Sequence, residues 1–346
     1  VDTQLINFDQ ILGQDSAIEA IRRAYRLNRL PHGLIFAGPA GVGKETTARA
    51  LAALFLCEQP RELAFCGTCP SCRLVAAETH PDFHLVYRQL IRMSREEHKA
   101  KELSVDVVRP FLISKAANKS VMGVGKVFVV RESETMTASA QNALLKVLEE
   151  PPGRTLIILL TDQPDSLLPT VRSRCQLIRF APLEGNVIVR LLAARGVSRE
   201  QAQAASQFTQ GSVGLALQWL EDGVIERARQ LTGMLEALVA GGSAAGLQQW
   251  LRAAAEEYAV KQLSRDELAS KDQLTREGVV LYLTLCAQYF DRRLGQLHGQ
   301  SDALERCCAA IDAALAAERL VEANVNVPLC MQQFAGALEA AVGAVE

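Results

Sequence analysis

The sequence has no surplus of either charge: 37 Lys and Arg stand against 39 Asp and Glu, a formal net charge of −2. That balance excludes a protein built only to coat nucleic acid, although a local basic face stays open. No apolar run reaches the roughly 18 residues that cross a bilayer, so no membrane-spanning helix is expected. The opening Val1-Asp2-Thr3-Gln4 lacks the basic and then apolar order of a signal peptide, which makes the cytoplasm the expected compartment. Low-complexity tracts and internal repeats are missing as well. With 49% hydrophobic and 22% charged residues, ordinary values for a globular chain, disorder as the dominant state is excluded. The 346 residues are enough for about two or three domains.

Cysteine is not scarce, and its distribution is uneven. Of the nine, Cys57, Cys66, Cys69 and Cys72 cluster, whereas Cys175, Cys286, Cys307, Cys308 and Cys330 lie scattered in apolar stretches. An odd count with one tight cluster excludes a disulfide framework and predicts a metal site plus buried thiols. The spacing C-x8-C-x2-C-x2-C can enclose one tetrahedral Zn²⁺ in four thiolates, a closed and therefore structural site. An iron–sulfur cluster is the alternative. His80 and His84 follow closely, but four sulfurs already fill the coordination shell, so both are expected to be structural.

Apolar runs then set the organisation. Leu34-Ile35-Phe36-Ala37, Lys126-Val127-Phe128-Val129-Val130, 155–160 and 176–180 read as strands, and 46–56 and 138–150 as helices, the latter stopped by Pro151-Pro152. This alternation predicts a parallel sheet flanked by helices up to about residue 182. Beyond Pro182 the pattern turns helical, as in 246–258 and 303–317, with Gly241-Gly242-Ser243 as a break. Two all-helical domains are expected there, 183–224 and 225–346. The mixed-charge stretch 88–101 reads as a solvated loop or exposed helix.

Gly38-Pro39-Ala40-Gly41-Val42-Gly43-Lys44 follows the first strand and opens a helix, the context in which a Gly-rich loop cradles phosphates on its N–H groups and a lysine reaches the β- and γ-phosphates. Where a Ser or Thr should hold Mg²⁺ the sequence has Glu45. Moving Thr46 into that place would turn the helix by about 100°. The second strand should deliver an acidic pair but delivers Arg131-Glu132. Two departures in the same chemistry predict that hydrolysis is impaired.

Three further stretches carry a family resemblance. Phe8-Asp9-Gln10-Ile11-Leu12-Gly13-Gln14 looks like the box that borders the adenine pocket in AAA+ clamp-loader subunits. Asn142-Ala143-Leu144-Leu145-Lys146-Val147-Leu148-Glu149-Glu150-Pro151-Pro152 is similar to the most recognisable stretch of the bacterial members, and Ser173-Arg174-Cys175 resembles their arginine-finger motif. The likeness is close over the first 182 residues and general beyond. Glu45, Arg131 and Gly214, the last standing where motor subunits usually carry an arginine that senses the γ-phosphate, resemble the delta-prime branch more than gamma/tau.

The resemblance implies an AAA+ α/β domain over 1–182 with a zinc module inserted at about 57–72, a small helical lid over 183–224 and a helical oligomerisation collar over 225–346. It implies a degenerate nucleotide site at Gly38, Gly41, Gly43, Lys44 and Thr46, with doubtful ATP binding and no ATPase activity of its own. It further implies a stator in the DNA polymerase III assembly, to which any polymerase activity belongs, with gamma/tau and delta as partners. The sliding clamp and primed DNA would be met through that assembly, and Arg174 would act in trans on a neighbour's ATP. The alternatives are an ATP-hydrolysing gamma/tau-type motor or another DNA-dependent AAA+ ATPase. A free-standing DNA-binding module using Arg172, Arg174 and Arg179 gains no support from net charge.

Overall fold

A computed structural model describes residues 5–93, 102–266, 269–297 and 301–342; of the mixed-charge stretch 88–101, Arg88–Met93 forms a 3₁₀ helix and 94–101 lie outside the described residues. The chain divides into two compact units, one ending at Ala216 and one beginning at Leu217.

The first unit is built on five parallel strands, β1 (Gly33–Ala37), β2 (Phe83–Val86), β3 (Lys126–Val130), β4 (Thr155–Thr161) and β5 (Gln176–Arg179), in the order β2-β3-β4-β1-β5. β1 pairs with β4 on one side and β5 on the other, so Phe36 lies beside both Leu160 and Ile178. Each strand points alternate residues to opposite faces. Leu34, Phe36, Val127, Val129, Leu156 and Ile158 enter one apolar cluster, and Ile35, Ala37, Phe128, Val130, Ile157 and Leu159 the other. Burial on both faces is why these strands read as unbroken apolar runs.

Helices α1 (Asp15–Arg26), α2 (Lys44–Leu56) and α3 (Pro70–Ala76) precede β2. α2 is buried over nearly its whole surface, with Ala48, Leu51, Ala52 and Leu54 at 1% exposure or less. Truncating such a leucine to alanine costs about 2–5 kcal/mol. α4 (Val105–Val108) and α5 (Ser114–Ala117) are joined by a π turn, Arg109–Ile113, that contains Pro110. A proline there cannot donate an N–H to the preceding turn.

α6 (Ala138–Glu149) starts on Thr137, whose side chain accepts the N–H of Ala140, and stops before Pro151 as expected. α7 (Pro169–Arg172) leads into β5, and α8 (Gly185–Ala193), α9 (Arg199–Phe208) and α10 (Val213–Asp222) follow. β2 was not among the expected strands. It is a four-residue edge strand, half-buried except at Val86, and its Phe-His-Leu-Val sequence lacks a long β-branched run.

The second unit is helical: α11 (Val224–Val239), α12 (Leu247–Leu263), α13 (Lys271–Leu294), α14 (Ser301–Glu322) and α15 (Val327–Val342). Gly241-Gly242-Ser243 separates α11 from α12 as expected. Tyr282, Phe290, Leu251, Phe334 and Leu338 are buried in it. Among the described residues of the chain, no helix is long and apolar enough to cross a membrane.

Candidate functional site

The loop 38–43 runs from the end of β1, an interior strand, to the start of α2. Lys44 opens the helix and is 9% exposed, and its Nζ donates to the carbonyls of Gly38 and, at 2.7 Å, Pro39. Burial lowers its pKa from the usual lysine value, against the pull of Asp162 and Glu134. Burial also raises the Glu134 carboxyl above its ordinary range.

Across the loop lies the start of α10. Gly214 N donates to Gly41 O at 3.0 Å. A Cβ on Gly41 would stand 2.3 Å from Ser212 Oγ, and one on Gly214 would stand 2.8 Å from Gly41 Cα. Only glycine at both positions lets the two backbones approach this closely.

The two departures from a hydrolytic site turn out to touch. Arg131, at the end of β3, donates from Nε to Glu45 Oε2 at 2.7 Å and from Nη2 to Glu45 Oε1. Glu45 also accepts from Arg49 Nε at 2.9 Å, and Arg49 Nη1 reaches Glu78 at 2.6 Å. Burial alone would raise the Glu45 carboxyl, but hydrogen bonding and charge from Arg131 and then Arg49 outweigh it and hold the pKa below the ordinary carboxylate value. Read as two independent changes in the sequence, Glu45 and Arg131 are one ion pair, and Arg49 and Glu78 extend it. Thr46 points outward and is exposed, whereas Thr47 is buried and donates its hydroxyl to Gly43 O at 2.9 Å.

At the far end of α2, Cys57 caps the helix and faces Cys66, Cys69 and Cys72. All four sulfurs lie within 4.8 Å of one another, with Cys57–Cys69 at 4.0 Å and Cys66–Cys72 at 3.9 Å. A tetrahedral ZnS₄ unit with bonds of about 2.3 Å needs sulfurs about 3.8 Å apart, so the donor set fits. Backbone N–H groups of Cys66, Cys69 and Cys72 donate to the sulfurs of Cys57, Cys66 and Cys69 at 3.3–3.4 Å, as thiolates require. Amides of Thr68 and Cys69 draw the Cys66 thiol down to about 6, while burial pushes Cys57 and Cys72 up.

Beneath this module Ser71, His80 and Asp82 are buried together, a grouping that looks like a nucleophile and its base. It is not one. His80 Nδ1 accepts the Asp82 N–H at 3.0 Å, so Nε2 carries the proton and donates it to Ser71 Oγ at 2.8 Å. The Asp82 carboxylate is occupied by Val121 N, Met122 N and Ser120 Oγ. His84 lies on β2 with its ring 4.8 Å from that of Phe128.

Arg174 sits between α7 and β5 and is 35% exposed. Its Nε donates to Glu149 Oε1 at 2.8 Å, joined by Nη2 on the same oxygen, and Nη1 donates to Thr170 O at 3.0 Å. Arg172 pairs instead with Asp165 at 2.8 Å. Glu149 was legible as part of the 142–152 stretch but had no role assigned from sequence.

With this geometry in hand, residues 13–184 match the family described as DNA polymerase III, delta subunit. The DNA polymerase III subunit delta′ of Pseudomonas aeruginosa is 37% identical over 186 residues, 54% of this chain and 54% of that protein. That of Escherichia coli is 35% identical over 200 residues, 58% of this chain and 57% of that protein. The gamma/tau subunit of Mycobacterium tuberculosis is 33% identical over 187 residues, 54% of this chain and 31% of the relative. The chain thus aligns with little more than half the length of the delta′ proteins it matches.

Proposed function

We propose that this chain, whose residues 13–184 match the family described as DNA polymerase III, delta subunit, and which is 35–37% identical to delta′ subunits over about half its length, is a clamp-loader subunit of the delta-prime kind that helps place a sliding clamp on primed DNA without hydrolysing ATP itself. Residues 1–182 act as the AAA+ domain, 183–224 as its lid and 225–346 as the collar that joins it to gamma/tau and delta subunits. The observation that carries the reading is the ion pair between Glu45 and Arg131. Mg²⁺ chemistry needs a hydroxyl after the loop lysine and a carboxylate at the end of the second strand. Here those two places hold a carboxylate and a guanidinium that neutralise each other. Any nucleotide taken up by Gly38, Gly41, Gly43, Lys44 and Thr46 would meet no hydroxyl at 45 and no carboxylate at 131 with which to hold the metal.

The chain's contribution to catalysis is then Arg174, reaching a neighbour's ATP and stabilising charge as the γ-phosphate leaves. Fingers supplied in trans are worth about 10³–10⁵ in rate in single-site NTPases, and less in a motor whose other sites keep their own. Cys57, Cys66, Cys69 and Cys72 would hold Zn²⁺, which supplies a structural cross-link and no reaction step.

The test is reconstitution with gamma/tau and delta subunits, followed by ATPase assays with and without this chain. No turnover by the chain alone, and a clamp-stimulated rate that needs it, are the expected results. Steady hydrolysis by the isolated chain that disappears in Lys44→Ala would move it to the motor class.

A further inference from the structure

Arg174 is a long, partly exposed side chain, and an arginine left free in water visits many rotamers. A group that must meet a phosphate in one geometry gains from having that freedom removed beforehand. Two layers around Arg174 do this.

The first fixes its backbone. Gly33, at the start of β1, lies so close beneath that a Cβ there would stand 2.9 Å from Cys175 Sγ, 3.1 Å from Arg174 O and 3.3 Å from Leu148 Cδ2. His32, just before it, donates from Nε2 to Leu148 O at the end of α6. The last turn of α6, the first residues of β1 and the segment 174–175 are therefore packed as one block.

The second layer fixes the guanidinium. Glu149, the last residue of α6, takes its Nε and Nη2 on one carboxylate oxygen, while Thr170 O and, at 3.3 Å, Ser173 Oγ take Nη1. An ion pair this exposed adds little to stability. What it does is set direction: with Nε and Nη2 on Glu149 and Nη1 on Thr170 O and Ser173 Oγ, the plane of the guanidinium is fixed, and the second N–H of Nη2 is the donor left to meet a phosphate oxygen.

Building on the proposal that Arg174 acts in trans, we infer that Glu149 is a positioning residue for the finger, and that its carboxylate aims the guanidinium at the phosphate of a neighbouring subunit. Glu149 touches no reacting atom. It acts through Arg174 alone.

The experiment uses the full chain assembled with its motor subunits, comparing wild type, Glu149→Gln, Glu149→Asp, Arg174→Ala and Arg174→Ala/Glu149→Gln. Glu149→Gln keeps the shape and removes the charge, so assembly and the melting temperature of the free chain should be unchanged. The clamp-stimulated kcat of the complex should fall by about tenfold, the scale of a lost orientation, with KM for ATP unchanged. Glu149→Asp should recover part of the rate, and the double variant should be no slower than Arg174→Ala. A loss in Arg174→Ala with a wild-type or faster Glu149→Gln would overturn the positioning role and leave the finger standing. Wild-type rates in Arg174→Ala would overturn the finger, and this inference with it. A double variant slower than Arg174→Ala would show Glu149 acting elsewhere.

Discussion

The two ends of α2 carry two clusters of metal-ligating side chain types that differ in whether the chain supplies their counter-charge. At its C-terminus Cys57 joins three other cysteines, all four sulfurs lying within 4.8 Å of one another. At its N-terminus Glu45 is matched within the chain by Arg131 and Arg49. The first end could be completed, as thiolates, by a cation from outside. The second has its cation built in as a guanidinium. A donor set can bind a metal only while its charge is unmet, and the Glu45 end does not meet that condition.

The largest effect should come from breaking the cysteine end. The purified chain should carry about one Zn²⁺, and Cys69→Ser should release it and make the segment from Cys57 to Cys72 sensitive to protease while the sheet stays folded. Metal analysis finding none under reducing conditions, or an iron–sulfur absorbance, would remove the contrast between the ends.

A smaller effect is expected from the other end. Arg131→Ala should cost about 1 kcal/mol, since both partners of the pair are partly exposed. Glu45→Ala and Arg131→Ala measured singly and together should be strongly non-additive. The exchange Glu45→Thr with Arg131→Asp should make nucleotide binding depend on Mg²⁺, read by titrating a fluorescent nucleotide with and without the ion. Simple additivity would mean that the two residues are neighbours without being a unit.

How far this was legible in the sequence differs by feature. β1, β3 and β4 announced themselves because both their faces are buried; the two four-residue edge strands carry a weaker signal, and of these β5 is legible from its Leu177-Ile178 step before Pro182 while β2, Phe-His-Leu-Val, is not. Cysteine spacing is local, so the metal donor set could be read from sixteen consecutive residues, 57–72. The pair between Glu45 and Arg131 spans 86 residues of chain, and the pair between Arg174 and Glu149 spans 25. Motif reading identifies each partner as unusual or typical at its own place. Only the packing of β3 beside α2, and of α7 beside α6, tells which residues meet.

The smallest effect expected is one of acidity, and it separates the loop end from the sheet edge. Burial, and then the charge of Lys115, push the His84 imidazole down from 6.5 to about 4. The unfolded chain therefore takes up this proton first, and stability should fall as pH drops from 6.5 toward 4. Glu45 has its carboxyl held below 4.5, so its contribution is present above pH 4.5 and is lost only as pH falls through the lower folded value. Melting temperatures measured against pH should show His84→Phe flattening the first window and Glu45→Gln only the second. A His84→Phe chain with the slope of the wild type would rule out this assignment.

The contact between Gly41 and Gly214 sets the order in which a working motor could be rebuilt from this chain. An arginine at 214, which the resemblance to clamp-loader motor subunits would place there, would begin with a Cβ 2.8 Å from Gly41 Cα, so it cannot enter until the loop has moved. Aspartate at 131 alone would face the Glu45 carboxylate across the distance now bridged by a guanidinium, and threonine at 45 alone would leave Arg131 without its partner. Each of these single substitutions is worse accommodated than the residue it replaces. The route to a hydrolytic site is therefore not a slope that can be climbed one substitution at a time, but a step that has to be taken whole.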